Sequence, residues 1–163
     1  MSSVSKQPER FSREVAANKR LLALDYGLAR TGMALSDKRW RVAVPLGVIH
    51  ARQWGHIIEH LRPIVAEHHV GGFIVGLPLR WDGQEGEQCA RTRTFAVRAH
   101  KAFDLPVLLV DERYSSSAAE RLHKEGLEKK RAPLPQDSHH DARAAAWILQ
   151  DALDRYKHLA GGG

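Results

Sequence analysis

The spacing of apolar residues changes along the chain, and the changes divide it into elements. Leu21-Leu22-Ala23-Leu24 is a continuous apolar run ending on Asp25, with Gly27 just beyond, and a second run extends from Thr31 to Ser36. Short apolar runs bounded by turn residues read as strands. A strand, a tight turn and a returning strand are therefore expected. After an Asp37-Lys38-Arg39 turn, Val42 to Ile49 reads as a third strand, and Pro45 within it argues for a sheet edge. The period then becomes helical: Ile57, Ile58, Leu61, Ile64 and Val65 fall on one side of a helix from about Trp54 to His68. Pro63 lies inside that helix, where a kink or a shifted boundary is expected. Gly71-Gly72 ends it, and Phe73-Ile74-Val75-Gly76 is a short buried strand.

Leu77 to Gln84 reads as a loop marked by Pro78 and Asp82-Gly83. A second helix is expected from about Glu85 to Phe103, with Phe95, Val97, Ala99 and Ala102 inward, and a fifth strand from Pro106 to Val110, ending at Asp111-Glu112-Arg113. Ser115 or Ser116 suits the cap of a third helix burying Ala118, Ala119 and Leu122. Gly126 to Gln136 is a basic, proline-punctuated loop. A last helix starts near Asp137 or Ser138, with Ala142, Ala145, Ile148, Leu149 and Leu153 inward. Short links make the first three strands an antiparallel meander, and helical crossovers return the next two in parallel. The expected fold is α/β: a five-stranded mixed sheet flanked by helices, with the first and fourth strands adjacent at its centre. Residues 1–18 read as a loose tail or at most a short helix, 19–159 as a single domain and 160–163 as a flexible tail.

Charge narrows the classes of partner. The 163 residues carry a formal net charge of +6, which favours nucleic acid over an acidic small molecule. Cys89, the single cysteine, has no partner for a disulfide or a thiolate metal site and reads as a buried small residue in a reducing compartment. No apolar signal core opens the chain, and no run reaches the roughly 20 apolar residues of a spanning helix. A cytoplasmic protein without a membrane partner is expected.

Three acids stand at element ends: Asp25 after the first strand, Glu112 after the fifth, and Asp141 early in the last helix. Each has an ordinary use. Asp25 can cap its turn, Asp111 or Glu112 can pair with Arg113 or another surface cation, and Asp141 can favour the positive end of its helix. Converging, they would repel one another unless cations lay between them. Oxygen-only ligands select Mg²⁺ or Mn²⁺, and two such ions suit phosphodiester hydrolysis. Asp137 reads as a helix cap or a fourth ligand. Arg30 and Arg113 flank two of the acids and suit phosphate contact. Lys129-Lys130-Arg131 reads either as a backbone clamp or as a solvated loop. Trp81 suits base stacking or packing at the sheet rim, and Trp54 and Trp147 suit core or helix packing. His68-His69 and His139-His140 lack the spacing of a zinc site, although His139 or His140 could assist proton transfer beside Asp141.

The sequence resembles the YqgF-type proteins, RNase H-like proteins described as Holliday junction resolvases and as nucleases processing pre-16S rRNA. The resemblance runs from Leu21 to about Leu153. It rests on Asp25-Tyr26-Gly27 with Arg30 and Gly32; on Gly76-Leu77-Pro78-Leu79 with Asp82-Gly83 and Glu85-Gly86-Glu87-Gln88; on Asp111-Glu112-Arg113 followed by serines; and on Asp141 with Ala144-Ala145 and Ile148-Leu149-Gln150. It implies an RNase H-like fold, in agreement with the strand order above, and it implies that Asp25, Glu112 and Asp141 are the metal-binding catalytic acids. Two departures stand out. Ala29 occupies a position where the family often has lysine, and Arg80-Trp81 replaces an asparagine and an aliphatic residue. The implied activity is that of a Mg²⁺- or Mn²⁺-dependent endonuclease maturing the 5′ end of 16S rRNA precursor, with branched DNA as the alternative substrate. A non-catalytic, nucleic-acid-binding ribosome-assembly protein is the alternative of another class. An actin-like ATPase would need a second nucleotide-binding half, for which the chain is too short. A homodimer would suit a two-fold junction, and a monomer an RNA end.

Overall fold

In a computed structural model of the chain, the described residues are 3–80, 82–112 and 137–155, with side chains described from 142 onward in the last segment. In chain order the elements are β1 (Val4–Ser5), α1 (Pro8–Glu14), β2 (Arg20–Tyr26), β3 (Arg30–Ser36), β4 (Ala43–His50), α2 (Trp54–Glu67), β5 (Val70–Leu77), α3 (Glu87–Phe103), β6 (Val107–Asp111) and α4 (Asp137–Arg155). The strands lie in the order β1-β6-β5-β2-β3-β4. The meander β2-β3-β4 is antiparallel, and β5 joins β2 in parallel with β6 beyond it, so the expected central neighbours do pair. Pro45 lies on the edge strand, as its missing N–H requires, opposite a register shift between Met33 and Ala34.

Strand alternation sends side chains to two separate cores. Leu22 and Leu24 of β2, Phe73, Val75 and Leu77 of β5, and Val107 and Leu109 of β6 meet Ile57, Ile58 and Leu61 of α2 and Phe95, Ala96 and Ala99 of α3. Leu21, Ala23, Ile74 and Leu108 face the other way, onto Ala145, Ile148, Leu149, Ala152 and Leu153 of α4. The Gln150 side chain ties α4 to the sheet edge, accepting from the Ala43 N–H at 2.9 Å and donating to the Arg41 carbonyl at 3.1 Å.

Several expectations need correction. The sheet has six strands rather than five, because β1 adds to β6 in parallel. Residues 3–18 are accordingly not a loose tail: α1 places Phe11 and Val15 in the α4-side core. The seat for Phe11 is Gly72, where an added Cβ would lie 2.9 Å from the ring's Cζ. Helix α3 begins at Glu87 rather than Glu85, since Glu85 bridges to Leu79 and pairs with Arg93 at 2.6 Å. Pro63 sits on the solvent side of α2, which continues past it to Glu67. Val97 is exposed rather than inward, and Trp147 is exposed rather than in the core. Trp54 is also exposed, but it packs between helices through the Arg98 guanidinium, 4.3 Å from its ring centroid. Cys89 is buried as expected. The expected helix after Ser115, the loop from Gly126 to Gln136 and the glycine tail lie outside the described residues.

Candidate active site

The two cores determine where the acids point. On β2, Leu21 and Ala23 face α4, so Asp25 two residues on faces the same side. On β6, Leu108 and Val110 face α4, and Glu112, just past the strand end, continues that series. Its N–H bonds the Leu77 carbonyl at 3.0 Å, which extends the β5–β6 pairing by one step. Between them, Gly76 of β5 follows Ile74 on the same face. Asp25 also lies opposite Gly32 of β3. Its carboxylate therefore stands in a row of strand ends with a glycine on either side.

Gly76 is the residue that lets the site form. A Cβ there would lie 2.5 Å from Glu112 Oε1 and 2.8 Å from Ile148 Cδ1, both closer than atoms pack. The Glu112 carboxylate and the α4 side chain occupy the space that a larger residue would fill. Oε1 of Glu112 is buried and has no hydrogen-bond partner among the described residues. Burial first, and then the neighbouring Asp25 charge, push the Glu112 carboxyl from 4.5 up to about 8. An acid held this way with an unsatisfied oxygen is costly unless something cationic shares the site. The donor set, carboxylate oxygen from the two strand ends on either side of β5, fits a hard divalent cation.

Asp141 lies in the second turn of α4, two turns before Ile148, while its side chain and that of Asp137 lie outside the described residues. For that reason only two acids can be placed together, and no group of three metal-ligating side chains occurs among the described residues. Asp111 is not part of the pair: it points away and binds Lys6 at 3.0 Å. Arg30 opens β3 on the same face as Asp25. Arg113, Trp81, Lys129, Lys130, Arg131, His139 and His140 fall outside the described side chains. Gly27 serves the turn that follows β2. Its N–H bonds the Arg30 carbonyl at 2.9 Å, and a Cβ would lie 2.8 Å from that oxygen, so the turn itself requires glycine. The role of Gly76 was not read from the sequence. Its signal was a glycine ending an otherwise apolar central strand.

A family model described as "RuvX: Holliday junction resolvase" matches residues 19–155. A protein of Ruegeria sp. (strain TM1040), provisionally named a pre-16S rRNA nuclease, is 39% identical over 85% of this chain and 87% of its own length. One from Paramagnetospirillum magneticum with the same provisional name is 36% identical over 94% of this chain and 97% of its own. Among solved structures, Thermus thermophilus RuvC superposes with a TM-score of 0.51 at 15% identity, covering 85% of this chain and 96% of that one. A second structure of that protein, in complex with a Holliday junction substrate, gives 0.50 at 16% identity over 84% and 95%. The shared fold is RNase H-like, as expected.

Proposed function

Because this chain belongs to the RuvX family, we propose that it is a nuclease that hydrolyses phosphodiester bonds in structured nucleic acid, using Mg²⁺ or Mn²⁺ held by Asp25, Glu112 and Asp141. The observation that carries this reading is the buried Oε1 of Glu112 beside Asp25, without a hydrogen-bond partner among the described residues. A structural carboxylate would have an arginine or backbone N–H at that position; this one has none among the described residues, and a bound cation would satisfy it.

Each residue then has a defined task. Asp25 and Glu112 hold the cation from two strand ends, with Gly76 keeping the space between them clear. Asp141 approaches from α4. A cation held there would supply activation of the attacking water and charge neutralisation at the leaving oxygen. Ile148 closes the site behind Glu112 and keeps bulk water from its carboxylate. Gly32 leaves the front of Asp25 open for the phosphodiester to approach. Arg30, on the same face, orients a phosphate oxygen, with Arg113 and Lys129-Lys130-Arg131 adding backbone charge.

The substrate favoured is the 5′ end of precursor 16S rRNA, after the function named for the relatives. Branched DNA is the second reading, favoured by the family's description. A pre-rRNA substrate favours a cytoplasmic location, and no described helix is long and apolar enough to cross a membrane. The test incubates wild type and Asp25→Asn with Mg²⁺ or Mn²⁺ and, separately, a pre-16S rRNA fragment, a four-way DNA junction and linear duplex. Cleavage of the RNA at a defined position by wild type alone is the expected result. Defined cutting of the junction alone selects branched DNA, with a homodimer to match its two-fold symmetry. Identical behaviour of wild type and variant on every substrate leaves the non-catalytic nucleic-acid-binding reading in its place.

A further inference from the structure

A cleft of about 450 Å³ opens beside the β2–β3 turn, lined by Ala29, His50, Ala51, Arg52, Gln53 and His56. It lies at the same end of the sheet as the acids. His50 pairs with Arg30 across β3 and β4, as Gly32 pairs with Val48, so Arg30 and His50 share the α4 face with Asp25. The row that begins with Glu112 and Asp25 thus continues across two more strands into arginine and histidine. At a strand spacing of about 4.8 Å, His50 lies on the order of 10 Å from Asp25. That distance corresponds to about three nucleotides at a rise of roughly 3.4 Å each.

The chemistry of the cleft is uniform. Arg52 is an exposed, permanently charged fork of donors, and His50 and His56 are exposed imidazoles that each offer an N–H in either protonation state. Among the described residues no acidic side chain lines the cleft, and the first turn of α2 carries none. None of the three basic side chains has an ion-pair partner among the described residues. This contrasts with Arg10, Arg91, Arg93 and Arg155, which pair with nearby acids. Ala29 contributes only a methyl group, which leaves the cleft open to the catalytic turn.

We propose that the His50–Arg52–His56 cleft is a subsite for a backbone phosphate of the substrate strand, a few nucleotides from the bond that is cut. The inference rests on the nuclease reading above and adds a second grip to it. It sets the direction of the strand: across the ends of β6, β5, β2 and β3 and off the sheet at β4. Arg52 and the two histidines bind substrate without touching the scissile phosphate, so they contribute to affinity rather than to the chemical step.

The test uses the full chain and an RNA covering the 5′ processing region of precursor 16S rRNA, with a four-way DNA junction run in parallel. Arg52→Ala and the double variant His50→Ala/His56→Ala are compared with wild type, and Arg13→Ala, at the opposite end of the sheet, serves as a remote-cation control. All the altered side chains are exposed, and thermal melts check that every variant folds. Arg52→Ala should bind about tenfold more weakly, raise KM without lowering kcat, and reduce the salt slope of log K by about one. Arg52→Lys should recover part of the affinity, and Arg13→Ala should match wild type. If wild type cleaves but the cleft variants keep its KM and salt slope, the subsite is wrong and the nuclease reading stands. Loss of kcat at unchanged KM also overturns it, because the residues would then act on the chemistry. If wild type neither binds nor cuts either nucleic acid, the nuclease reading fails and the subsite fails with it.

Discussion

Without a cation, Glu112 should make the protein less stable as the pH rises, and Glu112→Gln should remove that dependence. Glutamine keeps the shape of the side chain and cannot ionise. In the folded chain, burial and the Asp25 charge raise the Glu112 carboxyl from 4.5 to about 8. In the unfolded chain it ionises near its ordinary value. Between those two values the folded state holds one proton more than the unfolded state, so stability falls with rising pH by about 1.4 kcal/mol per pH unit. The penalty is complete above the folded value and is on the order of 5 kcal/mol. That figure is a ceiling, because Asp25 can take the proton in place of Glu112 and the two share the strain. Urea unfolding in EDTA from about pH 5.5 to about 9 reads the effect directly. Wild type should lose stability across that range, Glu112→Gln should lose much less, and the gap above pH 8 should reach at least about 2 kcal/mol. Adding Mg²⁺ at the high-pH end should restore wild type and leave the variant unchanged. Parallel pH profiles for the two proteins in EDTA would refute the reasoning.

Two further substitutions test the packing around the site. Gly76→Ala puts a methyl group where Glu112 Oε1 and Ile148 Cδ1 now lie, 2.5 and 2.8 Å from the new carbon. It should cost about 1–3 kcal/mol of stability and abolish cleavage. Adding Ile148→Val removes the clashing Cδ1, and should recover most of the stability in urea melts but none of the cleavage. Phe11→Ala tests the N-terminal segment: the ring is 3% exposed, so its loss should cost about 3 kcal/mol by denaturation, whereas a loose tail would show no change.

The central architecture was legible because the strands that build it are short, apolar and separated by clear turn residues. Alternation alone places Asp25 on the side of Leu21 and Ala23. The preference for Glu112 over Asp111 rested on the family resemblance, because a five-residue strand that is apolar on both faces does not reveal which face β6 presents to α4. The N-terminal strand, and the docking of the short helix that was allowed for there, were missed for a related reason. A two-residue strand and a seven-residue helix are too short for periodicity, and their burial depends on Phe11 finding Gly72 some sixty residues away. Val97 and Trp147 show the opposite limit: helical spacing locates an apolar stripe but not its width, and both lie outside the buried arc. Gly27 and Gly76 look alike in sequence, yet the first serves its turn and the second makes room for the Glu112 carboxylate. Only the three-dimensional neighbours distinguish them.

The most direct test of the acid pair as a cation site is Mn²⁺ binding, followed by the loss of the free-ion EPR signal, for wild type, Asp25→Asn and Glu112→Gln at neutral pH. Wild type should bind Mn²⁺, each variant should lose most of that binding, and Mg²⁺ should compete for the wild-type site. Equal Mn²⁺ binding by all three proteins would contradict the assignment of Asp25 and Glu112 as metal ligands.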